Sequence, residues 1–342
     1  FISMIARGKK DWYNKMKFND SEEPHMEYNK PIADMRPGDD VEGFYVLKDA
    51  LLKTTAAGKP FLSGVLADRT GVIDLKAWDY SGPVGAGSGD TGRVVKIRGQ
   101  VSEFKGSPQL TAGRIRMAQE GDQYDVSALV PVAPIDPDER LQEIDRLIDS
   151  MQDADYRAVA RTMLQRHLAA FRSIPAAKSV HHSFLSGLLM HTSNMLKIAD
   201  FLAGLYSDII DRSLLLTGTL LHDFAKEQEF CFSGLGMVTD YSLSGQLIGH
   251  LVMGAQEAAQ CAQELGIPEE KSLLLQHMIL SHHGEPEFGA AVRPQCAEAE
   301  LLSEIDLIDS RMEIYAEALQ DLPAGSFSNR IFALDKKIYR HS

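Results

Sequence analysis

The apolar positions of this chain change period once along its length. From about Ile32 to Ala118 they alternate with polar positions in short runs, as strands with one buried face do. "VEGFYVLKDALLKT" is the first such run. "KPFLSGVLADRTGVIDLKAWDY" reads as a hairpin: Phe61 to Ala67, a turn at Asp68-Arg69-Thr70-Gly71, then a return strand from Val72 to Trp78. In the return strand Ile73, Leu75 and Ala77 point one way, and Val72, Asp74, Lys76 and Trp78 the other. The Gly/Ser-rich bridge "SGPVGAGSGDTG" leads into "RVVKIRGQVSEFKG" and "SPQLTAGRIRMA". Five short strands with a loop between the third and fourth predict a small all-β, OB-like Greek-key barrel.

"LVPVAPIDPDER" (Leu129 to Arg140) is a proline-rich connector, and the aspartates at its end suit a helix N-terminus. Beyond it the apolar residues recur at three- and four-residue steps. "ERLQEIDRLIDSM", "DYRAVARTMLQRHLAAF", "FLSGLLMHTSNMLKIADFLAGLY", "DRSLLLTGTLLHDF", "SGQLIGHLVMGAQEAAQCAQELG", "KSLLLQHMILSHHG" and "AEAELLSEIDLIDSRMEIYAEAL" all show it, which predicts an all-α helical bundle of roughly seven helices. The expected organisation is an N-terminal extension (1–31), the barrel (32–120), a linker (121–140), the helical domain (141–325) and a C-terminal tail (326–342). Residues 1 to about 25 are polar and patternless, and His25-Met26 reads as a cloning junction with Met26 the natural start. "FISMIARGKK" is too short and wrongly ordered for a secretory signal, and no apolar run is long enough to span a membrane.

The overall charge of −13 argues against duplex binding driven by a basic surface. The barrel segment is close to neutral, however, and the rest of the chain carries the acidic excess, which favours the barrel as the place of nucleic-acid contact. Its wording "L-x-D-R-T-G-x-I-x-x-x-x-W" across Leu66 to Trp78 resembles OB domains that hold single-stranded nucleic acid with aromatic and basic side chains. Lys76, Trp78, Tyr80, Arg98, Phe104 and Lys105 are the candidates. For Trp78 two readings stand: a stacking platform, or a cap on the barrel core. Cys231, Cys261 and Cys296 are isolated and odd in number, which suits a reducing cytoplasm better than a disulfide framework.

The helical half carries the chemistry. His191 lies in "GLLMHTSNM", His222-Asp223 end an apolar run, His250 lies in "LIGHLVMG", His282-His283 end "MILSHHGEPEF", and Asp306 lies in "LLSEIDLIDSRM". Each alone has a plainer explanation, since a histidine on an apolar helix face is more often a hydrogen-bonded core residue than a ligand. Together they would each need a buried partner, and one or two divalent metals satisfy them all at once.

The order H … HD … H … HH … D is the signature of the HD-domain metallophosphohydrolases. With "AAKSVHHSFLSGLLMHT", "LLHDFAK", "ILSHHGEPEFGAAV", "AEAELLSEIDLIDSRM" and the tail "SNRIFALDKKIY", the chain from about Glu27 onward resembles the YhaM-type 3′→5′ exoribonuclease family. Its members place an OB domain ahead of an HD domain. The resemblance implies that His191, His222, Asp223 and Asp306 hold one metal. Asp223 would bridge to a second, completed by His250, His282 and His283, although a three-histidine cluster could instead bind substrate phosphate directly. The implied catalytic residues are Asp223, Lys226 and His250, with Mn²⁺ the expected metal and iron, cobalt or zinc the alternatives. Two ions flanking a water acidify it and neutralise charge on the phosphate. Lys226 would contact a phosphate oxygen or be a solvated helix-end lysine. His181 and His182 would bind substrate or form the cleft wall, and Lys76 and Trp78 would bind it on the barrel. Asp309 would orient a ligand or be a plain surface carboxylate, and His277 is a core or surface histidine. One departure is "HDFAK", where many HD proteins have a glycine before the lysine. Ala225 is small, so little harm is expected, with the loop after Asp223 the part left open to a difference.

The leading reading is a metal-dependent 3′→5′ exoribonuclease acting on single-stranded RNA. Single-stranded DNA is also open as a substrate, since no reader of the 2′-hydroxyl is legible. One alternative is an HD phosphohydrolase acting on a dNTP, a cyclic dinucleotide or an alarmone, which would gain little from a polymer-binding module. The other is a nucleic-acid-binding protein with a structural metal, disfavoured because structural sites usually close with fewer ligands. Neither membrane association nor a particular homo-oligomer follows from the sequence.

Overall fold

Short alternating strands can hide their apolar face by curling onto themselves, and residues 40–117 do so. The computed structural model describes residues 27–87, 89–178, 182–320 and 322–342. The contacts among these residues divide into two units, with the boundary between Asp122 and Gln123. In the first, β1 (Asp40–Thr54), β2 (Pro60–Asp68), β3 (Gly71–Trp78), β4 (Val94–Phe104) and β5 (Ser107–Met117) form a sheet in the order β1-β2-β3-β5-β4. Strand β4 pairs back onto β1, with Tyr45 opposite Val95, so the sheet closes. The β3–β5 pairing is parallel, with Leu75 beside Leu110, and the other barrel pairings are antiparallel. This is the Greek-key topology of an OB barrel.

The residues of the hairpin explain its turn. Asp68 Oδ1 accepts from the backbone of Thr70 (2.7 Å) and Gly71 (3.0 Å) and from the Thr70 hydroxyl (2.6 Å). Its Oδ2 accepts from the Ile32 amide (2.8 Å), which ties the entering chain to the turn. Alternation on β3 is as expected: Ile73, Leu75 and Ala77 are buried in the barrel core, while Val72 and Trp78 are exposed. Trp78 therefore does not cap the core. It lies against Phe61, its register partner on β2, with ring centroids 5.0 Å apart. Strand β5 is bulged, with Gly113 the extra residue between the Arg98–Arg114 and Gly99–Ala112 pairs, and a Cβ on Gly99 would stand 2.3 Å from the Thr111 carbonyl. Glycine is needed there for the strands to bend into a closed barrel.

The second unit is built on α1 (Pro137–Asp149), α2 (Ala154–Ser173), α3 (Gly187–Leu205), α4 (Arg212–Leu221), α5 (His250–Leu265), α6 (Glu269–Ser281) and α7 (Ala297–Gln320). Asp136, at the end of the connector, caps α1 as expected, and Asp153 and Asp211 cap α2 and α4 in the same way, by accepting backbone N–H bonds. Every residue of α4 from Ser213 to Leu221 is buried, so this helix is the axis of the bundle. His167 on α2 bridges two carboxylates, Glu227 (2.9 Å) and Glu257 on α5 (2.7 Å). Among the described residues, no helix is long and apolar enough to cross a membrane.

Three features differ from the sequence pattern. The helix expected through "SGQLIGHLVMG" is two, Leu243–Leu247 and α5, separated at Gly249 with φ +79°. Residues 230–241 form a small hairpin, Phe230–Phe232 with Val238–Tyr241, too short for its period to register in the sequence. The proline-rich connector is not loose: Leu129, Val130 and Ala133 are buried, and Val132 bridges to Leu185. At the far end Ser326–Phe327 pairs with Tyr339–Arg340, and the Arg340 guanidinium donates to the carbonyls of Leu319 (2.9 Å) and Leu322 (2.6 Å), closing the end of α7.

Candidate metal centre

Helix α4 ends by delivering His222 and Asp223 into the middle of the bundle, both buried. The chain leaves the helix in a tight turn: the Phe224 amide donates to Leu221 O (3.2 Å) and the Lys226 amide to Asp223 O (3.0 Å). Ala225 in this turn has right-handed backbone angles, φ −68° and ψ −4°. An alanine is unstrained there, so the departure from glycine does not disturb the loop.

Two groups of side chains meet on the two oxygens of Asp223. On the Oδ2 side lie His222 Nε2 (3.2 Å), His191 Nε2 from α3 (3.9 Å) and Lys226 Nζ (2.7 Å). His191 Nε2 is in turn 3.4 Å from His222 Nε2 and 3.3 Å from Asp306 Oδ1 on α7. On the Oδ1 side lie His250 Nε2 from α5 (3.5 Å) and His282 Nε2 from the end of α6 (3.7 Å). His283 joins this second group, its ring 5.3 Å from that of His250 and 4.4 Å from that of His282. The seven residues drawn from separate runs of the sequence are thus brought together in one place.

The outward nitrogens of four of these histidines are tied. His191 Nδ1 donates to Asp309 Oδ2 (2.7 Å), His222 Nδ1 to Thr219 O (2.7 Å), His282 Nδ1 to Ile279 O (2.8 Å) and His250 Nδ1 to Glu229 Oε1 (2.9 Å). Each bond fixes the tautomer that leaves an Nε2 lone pair aimed inward, the arrangement of metal-binding histidines. Asp309 is buried, not a surface carboxylate. It also accepts from His182 Nε2 (2.8 Å), and His182 is fully buried behind His191. That is the position of a support for His191, not of a side chain facing a substrate. His181 lies outside the described residues. His277 accepts from the Gln295 amide (2.8 Å), as a structural histidine would.

Glu229 was not legible in the sequence. It lies six residues past Asp223, outside the histidine-bearing runs that mark the other site residues. Its Oε1 accepts from both the ring and the backbone N–H of His250 (2.9 and 3.1 Å). One carboxylate therefore orients the His250 ring and starts α5, which is why the helix restarts at that residue.

The electrostatics suit cations. Burial pushes the Asp223 carboxyl up, but Lys226 and His222 more than reverse it and hold it well below the usual carboxylate range. Burial works the same way on Asp306 before His191 depresses it strongly. Burial, then the neighbouring His222 and His283, keeps His282 neutral, and burial and His250 do the same for His283. His250 Nε2, His282 Nε2, His283 Nδ1 and Asp223 Oδ1 are all buried without a hydrogen-bond partner. Unpaired buried acceptors are costly, and neutral imidazoles beside a carboxylate are the donor set a divalent ion takes. The residues therefore fit a bound metal on either side of Asp223. Lys226 is not a solvated helix-end lysine: it is largely buried, and Asp223 outweighs the effect of burial and keeps it charged.

The barrel candidates spread over its surface. Trp78, Tyr80 and Arg98 line one groove of ≈ 740 Å³. Lys76 lies one step along β3, its Nζ 2.6 Å from Ser63 Oγ and 5.5 Å from the Phe61 ring centre. Phe104 and Lys105 sit apart at the β4–β5 turn, the ammonium over the ring.

The HD domain family model matches residues 188–311. The chain is 39% identical over 302 residues to a protein of Halalkalibacterium halodurans named 3′-5′ exoribonuclease YhaM, covering 88% of this chain and 93% of that one. It is 36% identical over 310 residues to the protein of the same name from Listeria innocua, covering 91% and 97%. Among solved structures, the second OB-fold domain of replication protein A from Methanococcus maripaludis aligns with 29% of this chain and all of that one, at 16% identity and a TM-score of 0.21.

Two outcomes follow for metal binding. Replacing Glu229 by alanine frees the His250 ring, and calorimetric titration should show one metal site weakened by roughly 10- to 100-fold; unchanged affinity would remove Glu229 from the site. Without metal, burial lowers the His191 pKa but Asp306 and Asp309 raise it to about 9. A metal must displace that proton, so its apparent affinity should rise about tenfold per pH unit between pH 7 and 9. Affinity that is flat across this window would show that His191 gives up no proton.

Proposed function

The chain belongs to the YhaM family of 3′-5′ exoribonucleases, and on that footing we propose that it is itself a metal-dependent 3′→5′ exoribonuclease of single-stranded RNA. The observation that carries the reading is the division of the Asp223 carboxylate between two histidine groups. In this reading His191, His222, Asp223 and Asp306 would hold one divalent ion, and His250, His282 and His283 with Asp223 would hold a second. Bound there, such ions would supply an acidified water and charge to offset that building on a scissile phosphate. Manganese is the proposed metal on the strength of the family resemblance, and the histidine-rich donor set also suits iron, cobalt and zinc.

The remaining roles belong to the chain's own groups. Lys226 keeps its charge on Asp223 and offers the remaining N–H bonds of its ammonium to a phosphate oxygen. Asp309 and Glu229 keep His191 and His250 in the tautomer that presents Nε2. His182 holds Asp309 in turn. The barrel contributes the grip on the strand, with Trp78 exposed for base stacking and Lys76 beside it. The free cysteines support a reducing compartment, the cytoplasm.

A 5′-labelled single-stranded RNA incubated with the protein and Mn²⁺ should shorten from its 3′ end, and chelator should stop it. The Asp223→Asn variant should lose on the order of 10³-fold of the rate while still binding RNA. RNA left intact by the parent protein would instead favour a small nucleotide as substrate. Full activity in the variant would remove Asp223 from catalysis.

A further inference from the structure

On the outer face of the barrel, Arg98 of β4 stands directly opposite Arg114 of β5. Like charges facing each other across a strand pair are destabilising. Neighbouring charges do not relieve this pair. Both arginines line the groove that holds Trp78, together with Lys96, Arg116, Glu42 and Asp79. Lys96 pairs with Glu42 (3.2 Å), Arg116 with Asp122 (2.6 Å), and Asp79 with Lys59 (3.2 Å). Each acid of the groove is thus already engaged. Arg98 and Arg114 are exposed, and among the described residues neither makes an ion pair.

Two unneutralised guanidiniums side by side, with an exposed indole on the same groove, match one kind of ligand: a chain of phosphates carrying flat rings. We propose that Arg98 and Arg114 form the phosphate clamp of the barrel, so that single-stranded RNA is held in the groove flanked by β3, β4 and β5, with a base on Trp78. Guanidinium forks suit phosphate oxygens geometrically as well as by charge. Lys76 is a weaker candidate for this task, since Ser63 and the Phe61 ring already engage its ammonium. The bulge at Gly113, next to Arg114, bends β5 at this position. The inference rests on the exoribonuclease reading, and it names the surface that takes the substrate.

The test is RNA binding by the full-length Asp223→Asn chain, followed by fluorescence anisotropy with a labelled single-stranded oligoribonucleotide at 50 to 200 mM salt. Each phosphate contact contributes about 0.7 to the slope of log affinity against log salt for single strands. The Arg98→Gln/Arg114→Gln pair should bind more weakly at low salt, with a slope shallower by about 1.4. Across that salt range its affinity should therefore fall about sevenfold less than the parent's. Arg98→Lys/Arg114→Lys should recover most of the slope, and Trp78→Ala should weaken binding with the slope unchanged. A Gln pair that binds with the parent's affinity and slope overturns the clamp while leaving the nuclease reading intact. An Asp223→Asn chain that binds no RNA, from a parent that shortens none, overturns both.

Discussion

The helical unit is arranged around one buried carboxylate. Asp223 sits at the end of a helix with no exposed face, where an unpaired charge would be strongly unfavourable. Its Oδ2 meets His222, His191 and Lys226, and its Oδ1 faces His250 and His282. Lys226 compensates part of the charge. The unsatisfied Oδ1 and the unpaired Nε2 atoms around it call for more positive charge than the polypeptide supplies. Divalent ions would meet that need, and they would be held by the neutral rings of His282 and His283 as well as by the carboxylate.

The surrounding structure keeps those lone pairs aimed. Thr219 O and Ile279 O, each three residues back on its own helix, fix His222 and His282 at no cost in extra side chains. His191 and His250, which arrive from the side, need the dedicated carboxylates Asp309 and Glu229. Glu229 has a second task, since it also starts α5, so the break at Gly249 and the aim of His250 are one feature. His167, held between Glu227 and Glu257, ties the turn after Asp223 to α2 and α5.

Much of this was legible in the sequence because the decisive signals are local. Period-two alternation marked β3, and period 3.6 marked the seven long helices. Histidines in apolar contexts marked the candidate ligands, and the family resemblance set their order. What escaped was relational. Glu229 looks like an ordinary acidic residue until the fold places the His250 ring against it, and of the two readings open for Asp309 only its place beside His191 selects the one that orients a ligand. The hairpin at residues 230–241 is too short to show a period, and the helix break at Gly249 is made by a residue twenty positions away. Trp78 could have been core or surface from sequence, and only closure of the barrel with Ile73, Leu75 and Ala77 inside puts it out. The Arg98–Arg114 pair depends on the β4–β5 register, which the strand pattern alone does not give.

The central claim is that one carboxylate is shared by two metal ions. Anomalous diffraction from crystals grown with Mn²⁺ tests it most directly. The account predicts two peaks, one within bonding distance of Asp223 Oδ2, His191, His222 and Asp306, the other of Asp223 Oδ1, His250, His282 and His283. A single peak on the first group, with the three histidines of the second left unligated, would contradict it.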